Sequence, residues 1–361
     1  MSGWDSAAFR EDIQTALDAF IDEQAATLEP LGGDATRLVQ EARTSISGGK
    51  RFRAAFCYWG HRAVRPAPAD EAALVRACAS LELLHASALV HDDYMDASDT
   101  RRGRPATHRL FEAEHGDADW RGDPRQYGAA AAILLGDLLL SWSDELLRRC
   151  GLPFAEVAPA LEVFDRCRSE VIAGQFLDVS VQARGRADVD TAMTVLRYKS
   201  AKYSIERPLH IGAALAGASP ETMAQLTAFG LPLGEAFQLR DDLLGVFGDP
   251  DTTGKPAGDD LIEGKRTVLV ALALDAASPA DAALLDRSLG TDLTEEQVAV
   301  LREIIDGSGA HAQVEEVIGS LADHAVTALD KADLDLPGRP IDALRENRGS
   351  EAKRRAQAMS L

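Results

Sequence analysis

The stretch from Leu81 to Asp96 constrains the fold more than any other part of this chain. It begins as an apolar run of helix-forming residues and closes on three carboxylates, Asp92, Asp93 and Asp96. Residues four apart on a helix share a face, so Asp92 and Asp96 stand side by side. Packed that closely without a cation, two carboxylates repel and titrate upward. A hard divalent metal removes the repulsion, and magnesium held by one or two carboxylates completes its shell from water and substrate phosphates. A solvated acidic helix end is the plainer reading of most such clusters. Here the apolar run leads straight into the aspartates, and Arg101-Arg102 follows at once. Acid beside paired arginine points to magnesium and a diphosphate.

Charge and composition narrow the class. The 361 residues are 46% hydrophobic, enough to bury a large core, and the formal net charge is −20. That charge argues against nucleic acid and against an anionic membrane surface as partners. An anionic ligand therefore needs basic residues gathered locally. Cys57, Cys78, Cys150 and Cys167 fall in no metal-ligand or redox spacing, so they read as buried thiols of a reducing compartment. The start, Met1-Ser2-Gly3-Trp4-Asp5, has neither region of a signal peptide. Ala129 to Leu140 is apolar but contains Asp137 and is too short to span a bilayer. The expectation is a cytoplasmic protein with no membrane span.

In order, the chain reads helix after helix. Amphipathic helices are expected from about Ser6 to Leu28 and from Ala35 to Ile46. A glycine-opened turn, Ser47-Gly48-Gly49-Lys50-Arg51-Phe52-Arg53, then leads into a helix through His61. Asp70 suits the N-cap of the long helix that ends at the aspartates. Residues 117–125 are rich in Asp, Gly and Pro and read as loop, with helical patterns following at 126–149, 154–182 and 188–216. Ser219-Pro220-Glu221 has the order of a helix start, running to Phe247, and Thr294 with Gln297 resembles a capping box. No stretch alternates with period two over any length, so strands are hard to place. With no repeat and no cutting linker, residues 1–361 read as a single all-α bundle.

A second acidic centre mirrors the first. Phe237-Gln238-Leu239-Arg240-Asp241-Asp242 is again an apolar helix closing on paired aspartates, followed by a glycine-rich loop carrying Lys255, Asp259, Asp260 and Lys265. Two such helices facing each other in a bundle would hold metals between them, with substrate phosphates as shared ligands.

At this point the chain resembles the trans-isoprenyl diphosphate synthases, the polyprenyl synthetase family of chain-elongating prenyltransferases. The matching segments are Gly48-Gly49-Lys50-Arg51-Phe52-Arg53, His91-Asp92-Asp93-Tyr94-Met95-Asp96 with Arg101-Arg102-Gly103, Gly174-Gln175-Phe176-Leu177-Asp178, Lys199-Ser200-Ala201, Phe237-Gln238 with Asp241-Asp242, and Gly264-Lys265-Arg266-Thr267. They occur in the family's order and cover roughly residues 48–267. The resemblance implies an isoprenoid-synthase fold, magnesium dependence and a homodimer.

It also implies residue roles. Asp92 and Asp96, supported by Asp93, would hold magnesium on one side of an allylic diphosphate, and Asp241 with Asp242 a metal on the other. Arg101, Lys199, Lys255 and Lys265 would bind that diphosphate. Lys50, Arg53, His85 and Arg102 would form a separate pocket for isopentenyl diphosphate, while Gln238 and the backbone at Lys199-Ser200 face the developing cation. Taken singly, Lys199 and Lys255 read as exposed lysines, His85 as a core histidine, and Gln175 with Asp178 as a buried polar pair. Only the joint pattern raises them. The implied reaction joins isopentenyl diphosphate to dimethylallyl, geranyl or farnesyl diphosphate.

Gly245 stands where the family's second motif usually has aspartate, and Asp249 follows. That spacing is close to the metal pattern of class I terpene cyclases, a rival on the same fold. A cyclase binds one diphosphate and has no need of the Lys50–Arg53 segment or of Arg101-Arg102. A phosphohydrolase built on His91-Asp92 and His61 leaves the second acidic centre unused, and a non-catalytic partner subunit would have lost parts of the motifs.

Product length is read from the helix before Asp92. Ala88, Leu84 and Leu81 share its face, and at about 1.5 Å per residue Leu84 lies roughly 12 Å and Leu81 roughly 16 Å below the metal. In the family a bulky aromatic four or five positions before the first aspartate stops growth early. Ala88 and Ser87 occupy those positions and are small, which implies a geranylgeranyl chain stopped at the leucines.

Overall fold

Helix boundaries in the computed structural model, which describes residues 6–185, 188–248 and 258–332, follow the capping chemistry of the chain. Helices α1 (Ser6–Leu28) and α2 (Gly33–Ser45) are joined by one tight turn. The Gly48-Gly49 turn then opens α3 (Phe52–Val64). Asp70 caps α4 (Glu71–Met95), its carboxylate accepting the Ala73 N–H at 2.9 Å. Next come α5 (Thr107–Asp117), α6 (Pro124–Arg148), α7 (Phe154–Arg184), α8 (Val189–Val195) and α9 (Arg207–Leu215). Ser219 caps α10 (Pro220–Phe247). The chain closes with α11 (Asp259–Ile262), α12 (Val268–Ala276), α13 (Pro279–Ser288), α14 (Glu295–Gly307) and α15 (Ala310–Lys331). The capping box at Thr294 and Gln297 is present.

Two features depart from the periodicity. The expected single helix over 188–216 is α8 and α9 joined by a wide π-helical turn, Leu196–Glu206. Pro208 is the second residue after it; it supplies no N–H and crowds the preceding turn, and a wide turn accommodates both effects. Such an insertion barely disturbs helical periodicity, so the sequence does not betray it. The second departure is a hairpin in which Thr100 pairs with Pro105 and Arg101 with Arg104. Its tip, Arg102-Gly103, has φ of 52° and 73°, the positive values that a tight hairpin turn demands. Two residues per strand are too few to register as alternation.

Helix α4 is the spine. Its buried residues run from Ala73 to Asp93 on nearly every face, and the main core forms around it with residues of α1, α2, α3, α6 and α7. A second core gathers the C-terminal half of α10 with α12, α14 and α15. Among the described residues α4 alone is long and apolar enough to cross a membrane, and 78% of that apolar window is buried inside the protein. All four cysteines are buried and free.

Candidate active site

The first acidic centre draws partners from three elements. Asp92 Oδ1 accepts Gln175 Nε2 of α7 at 2.8 Å and Lys199 Nζ of the wide turn at 3.3 Å. Lys199 also donates to Asp178 Oδ2 at 2.7 Å. Gln175 and Asp178 are therefore not a polar pair with each other; each serves the Asp92–Lys199 contact. The approach depends on Gly174, where a Cβ would lie 2.5 Å from the Lys199 backbone nitrogen. Arg101 reaches from the hairpin and places two nitrogens on Asp93 Oδ1, Nε at 2.8 Å. Asp93 thus anchors Arg101 beside the first acidic centre.

The second centre is arranged differently. Asp242 is buried and accepts Gln238 Nε2 at 2.8 Å, while Asp241 is exposed. Gln238, expected to face a cation, is thereby tied to the acidic centre. Over Gly245 lies a carboxylate from α11: a Cβ at residue 245 would sit 2.0 Å from Asp260 Oδ2. Glycine here makes room for Asp260. Lys265 joins the two centres, its Nζ 4.0 Å from Asp96 Oδ2, 3.3 Å from Asp260 Oδ1 and 2.5 Å from Glu263 Oε2. The acidic ends of α4 and α10 therefore face a common space.

A basic group lies beside them. Arg53 donates to Ser204 Oγ at 2.8 Å, stacks 4.3 Å from the Tyr203 ring, and leaves Nε buried without a hydrogen-bond partner. His85 Nδ1 lies 3.0 Å from the Tyr203 hydroxyl. Burial, then the charges of Arg53, Arg102, Arg101 and Arg51, hold His85 well below the usual histidine range. Two of these cations are neutralised, Arg51 by Glu82 and Arg101 by Asp93. Lys50, Arg53 and Arg102 have no carboxylate partner among the described residues. Tyr203 and Ser204 were not singled out from the sequence, because the wide turn sets which residues after Lys199 face inward. Ser200 is half-buried in that turn.

The donor set fits a hard cation. Burial and the neighbouring Asp92 push Asp96 up to about 7, and burial with Asp260 pushes Asp242 up to about 8. Burial opposes ionisation of Asp92 too, but Lys199, Lys265 and Arg101 together hold it below the usual range. A divalent ion would relieve the crowding at Asp96 and Asp242. Among the described residues no three acidic, histidine or cysteine side chains converge as a self-sufficient chelate, so such an ion would draw on water and substrate oxygens.

Other expected residues are placed as follows. Leu81 and Leu84 are buried in the main core and Ala88 is half-buried beside it. Ser87 turns instead to α6, donating to the Gly136 carbonyl at 2.7 Å. His91 also faces α6, bonded to the Ile133 carbonyl at 3.1 Å, whereas His61 is buried in α3 and lowered to about 4 by burial. The two histidines are not joined with Asp92, so the phosphohydrolase reading falls. Lys255 and Asp249 lie outside the described residues.

Comparison with known proteins identifies the family of the chain. The sequence profile described as polyprenyl synthetase matches residues 36–306, and one described as the Rv2175c C-terminal domain of unknown function matches residues 320–360. A short chain isoprenyl diphosphate synthase of Methanothermobacter thermautotrophicus is 35% identical over 264 residues, 73% of this chain and 74% of that protein. A geranylfarnesyl diphosphate synthase of Aeropyrum pernix is 33% identical over 298 residues, 81% of this chain and 85% of that one. Among solved structures, geranylgeranyl pyrophosphate synthase from Corynebacterium glutamicum, complexed with isoprenyl diphosphate and magnesium, has a TM-score of 0.90 and 40% identity, covering 94% of this chain and 97% of its own.

Proposed function

Since the chain belongs to the polyprenyl synthetase family and is a prenyl diphosphate synthase, we propose that it condenses isopentenyl diphosphate with an allylic diphosphate, in a magnesium-dependent reaction whose main product is geranylgeranyl diphosphate. The observation that carries the two-substrate reading is the split of basic residues. Lys199 and Lys265 lie among the aspartates, while Lys50, Arg53 and Arg102 form a group of their own. One diphosphate needs one such group; two diphosphates need both. A terpene cyclase would leave the second idle.

Asp92, Asp96 and Asp241 would hold magnesium, which when bound neutralises charge on the allylic diphosphate. Lys199, Lys265 and Arg101 bind that diphosphate and stabilise the negative charge that builds as its carbon–oxygen bond breaks. Lys50, Arg53 and Arg102 hold isopentenyl diphosphate with its double bond toward the allylic carbon, so positioning supplies much of the rate. The released diphosphate would accept the final proton.

The small Ala88 above buried Leu84 and Leu81 supports a chain longer than farnesyl. A homodimer is supported by exposed apolar side chains on two adjacent helices: Ile133 and Leu134 on α6, Ile172 and Phe176 on α7. The expected compartment is the cytoplasm, with no nucleic-acid partner. The test is to supply isopentenyl diphosphate with dimethylallyl, geranyl or farnesyl diphosphate in turn and read product lengths by chromatography. A C20 product from each primer agrees with the proposal; consumption of the allylic substrate alone would favour the cyclase.

A further inference from the structure

The turn that presents Lys50 and Arg53 is held in an uncommon backbone shape. Gly48 and Gly49 have φ of 69° and 93°, and Arg51, which is not a glycine, has φ of 56°. A residue with a Cβ occupies that left-handed region only when its surroundings impose it. Arg51 is buried, with one terminal nitrogen on Glu82 Oε2 at 3.1 Å and the other on both Gln14 Oε1 and the Ile46 carbonyl at 2.6 Å. The second oxygen of Glu82 accepts the Ala54 N–H at 3.3 Å, in the first turn of α3. Glu82 therefore holds Arg51 and the start of α3, while Arg51 ties back to Ile46 on the other side of the turn. It stands on α4 three residues before His85, on the same helical face. Behind the turn, Gln14, Asp18, Arg43 and Gly48-Gly49 line an open pocket of about 540 Å³, so packing supports the turn little from that side.

We propose that the buried Arg51–Glu82 pair positions Lys50 and Arg53 for the homoallylic diphosphate, Arg51 itself staying off the substrate. With its guanidinium committed to Glu82, Gln14 and the Ile46 carbonyl, Arg51 has no fork left for a ligand. Its neighbours Lys50 and Arg53 have no carboxylate partner among the described residues. This inference rests on the assignment of that pocket to isopentenyl diphosphate.

The experiment compares three variants of the full-length enzyme: Lys50→Ala, Arg51→Lys, and the double variant Arg51→Met/Glu82→Met, which leaves no charge buried alone. Steady-state constants for both substrates are measured with thermal melting. Arg51→Lys keeps a cation but cannot span all three partners; it is expected to raise the Michaelis constant for isopentenyl diphosphate roughly tenfold and that for the allylic diphosphate less than twofold. The double variant should do the same with its melting temperature within a few degrees of the parent. A double variant that does not fold leaves Arg51→Lys as the deciding case. If Lys50→Ala raises the isopentenyl constant but Arg51→Lys does not, or if Arg51→Lys raises both constants equally, the positioning role is overturned and the pocket stands. If Lys50→Ala itself leaves that constant unchanged, the pocket assignment fails and the inference fails with it.

Discussion

The two acidic helix ends, Asp92-Asp93-Tyr94-Met95-Asp96 on α4 and Asp241-Asp242-Leu243-Leu244-Gly245 on α10, look alike in sequence and are embedded differently. At the α4 end, cations and an amide come to the carboxylates: Lys199 and Gln175 to Asp92, Arg101 to Asp93. At the α10 end another carboxylate arrives, Asp260, in the space that Gly245 leaves open. The result is opposite charge behaviour at Asp92 and Asp242, while Asp96 is raised as Asp242 is. Asp92 is held low by its cations, and Asp242 is pushed up to about 8 by burial and by Asp260. A paired-aspartate motif thus fixes donor atoms, while partners from elsewhere decide how readily they ionise.

The sharpest way to break this comparison is to remove one carboxylate from each end. Asp92→Asn and Asp241→Asn should each lower turnover on the order of a hundredfold or more, because a lost charged ligand removes several kcal/mol of transition-state stabilisation. Far-ultraviolet circular dichroism should show the helices intact. Near-normal turnover in either variant would mean that its end of the bundle does not carry the chemistry.

A smaller effect separates the acidic space from its basic neighbour. Arg53→Ala should raise the Michaelis constant for isopentenyl diphosphate roughly tenfold with little change for the allylic substrate, and Lys199→Ala should do the reverse. Equal effects on both substrates would show that the pockets are wrongly apportioned.

Gly245 tests the α10 end directly. Gly245→Ala drives a methyl into the Asp260 carboxylate and should cost about 1–3 kcal/mol of stability in denaturant melts. Adding Asp260→Ala removes the collision, so the double variant should lose less than the sum of the singles. Strict additivity would show that Asp260 does not need the space over Gly245.

The mildest prediction concerns pH in metal-free protein. Asp96 and Asp242 ordinarily titrate near 3.8 but are raised to about 7 and about 8 in the fold. Between those limits the folded state holds protons that the unfolded state has lost, so stability falls as pH rises from about 4 toward 8. Melting temperature in chelator should drop by a few degrees from pH 6 to pH 8.5, and magnesium with diphosphate should flatten the slope. An unchanged slope on adding both would argue against cation binding at these carboxylates.

Much of the architecture was legible locally. The starts at Asp70, Ser219 and Thr294 follow from cap chemistry, which acts over three or four residues. The hairpin at Thr100–Pro105 and the wide turn Leu196–Glu206 were not legible, since one is too short to alternate and the other changes the helical pitch without a local sequence signal. Tyr203 and Ser204 went unseen for the same reason: their inward orientation depends on that change of pitch.

What the sequence determined by itself was residue type and spacing. It set two apolar helices ending in aspartates, a glycine turn before Lys50, and an order of motifs specific enough to name the family, because helical periodicity and capping are short-range. Tertiary structure alone decided which charges meet. Lys199 reaches Asp92 across 107 positions, Arg51 reaches Glu82 across 31, and Asp260 fills the space above Gly245. Electrostatic coupling depends on distance through space and on exclusion of water. Neither can be read along a chain until the helices that carry the charges have packed.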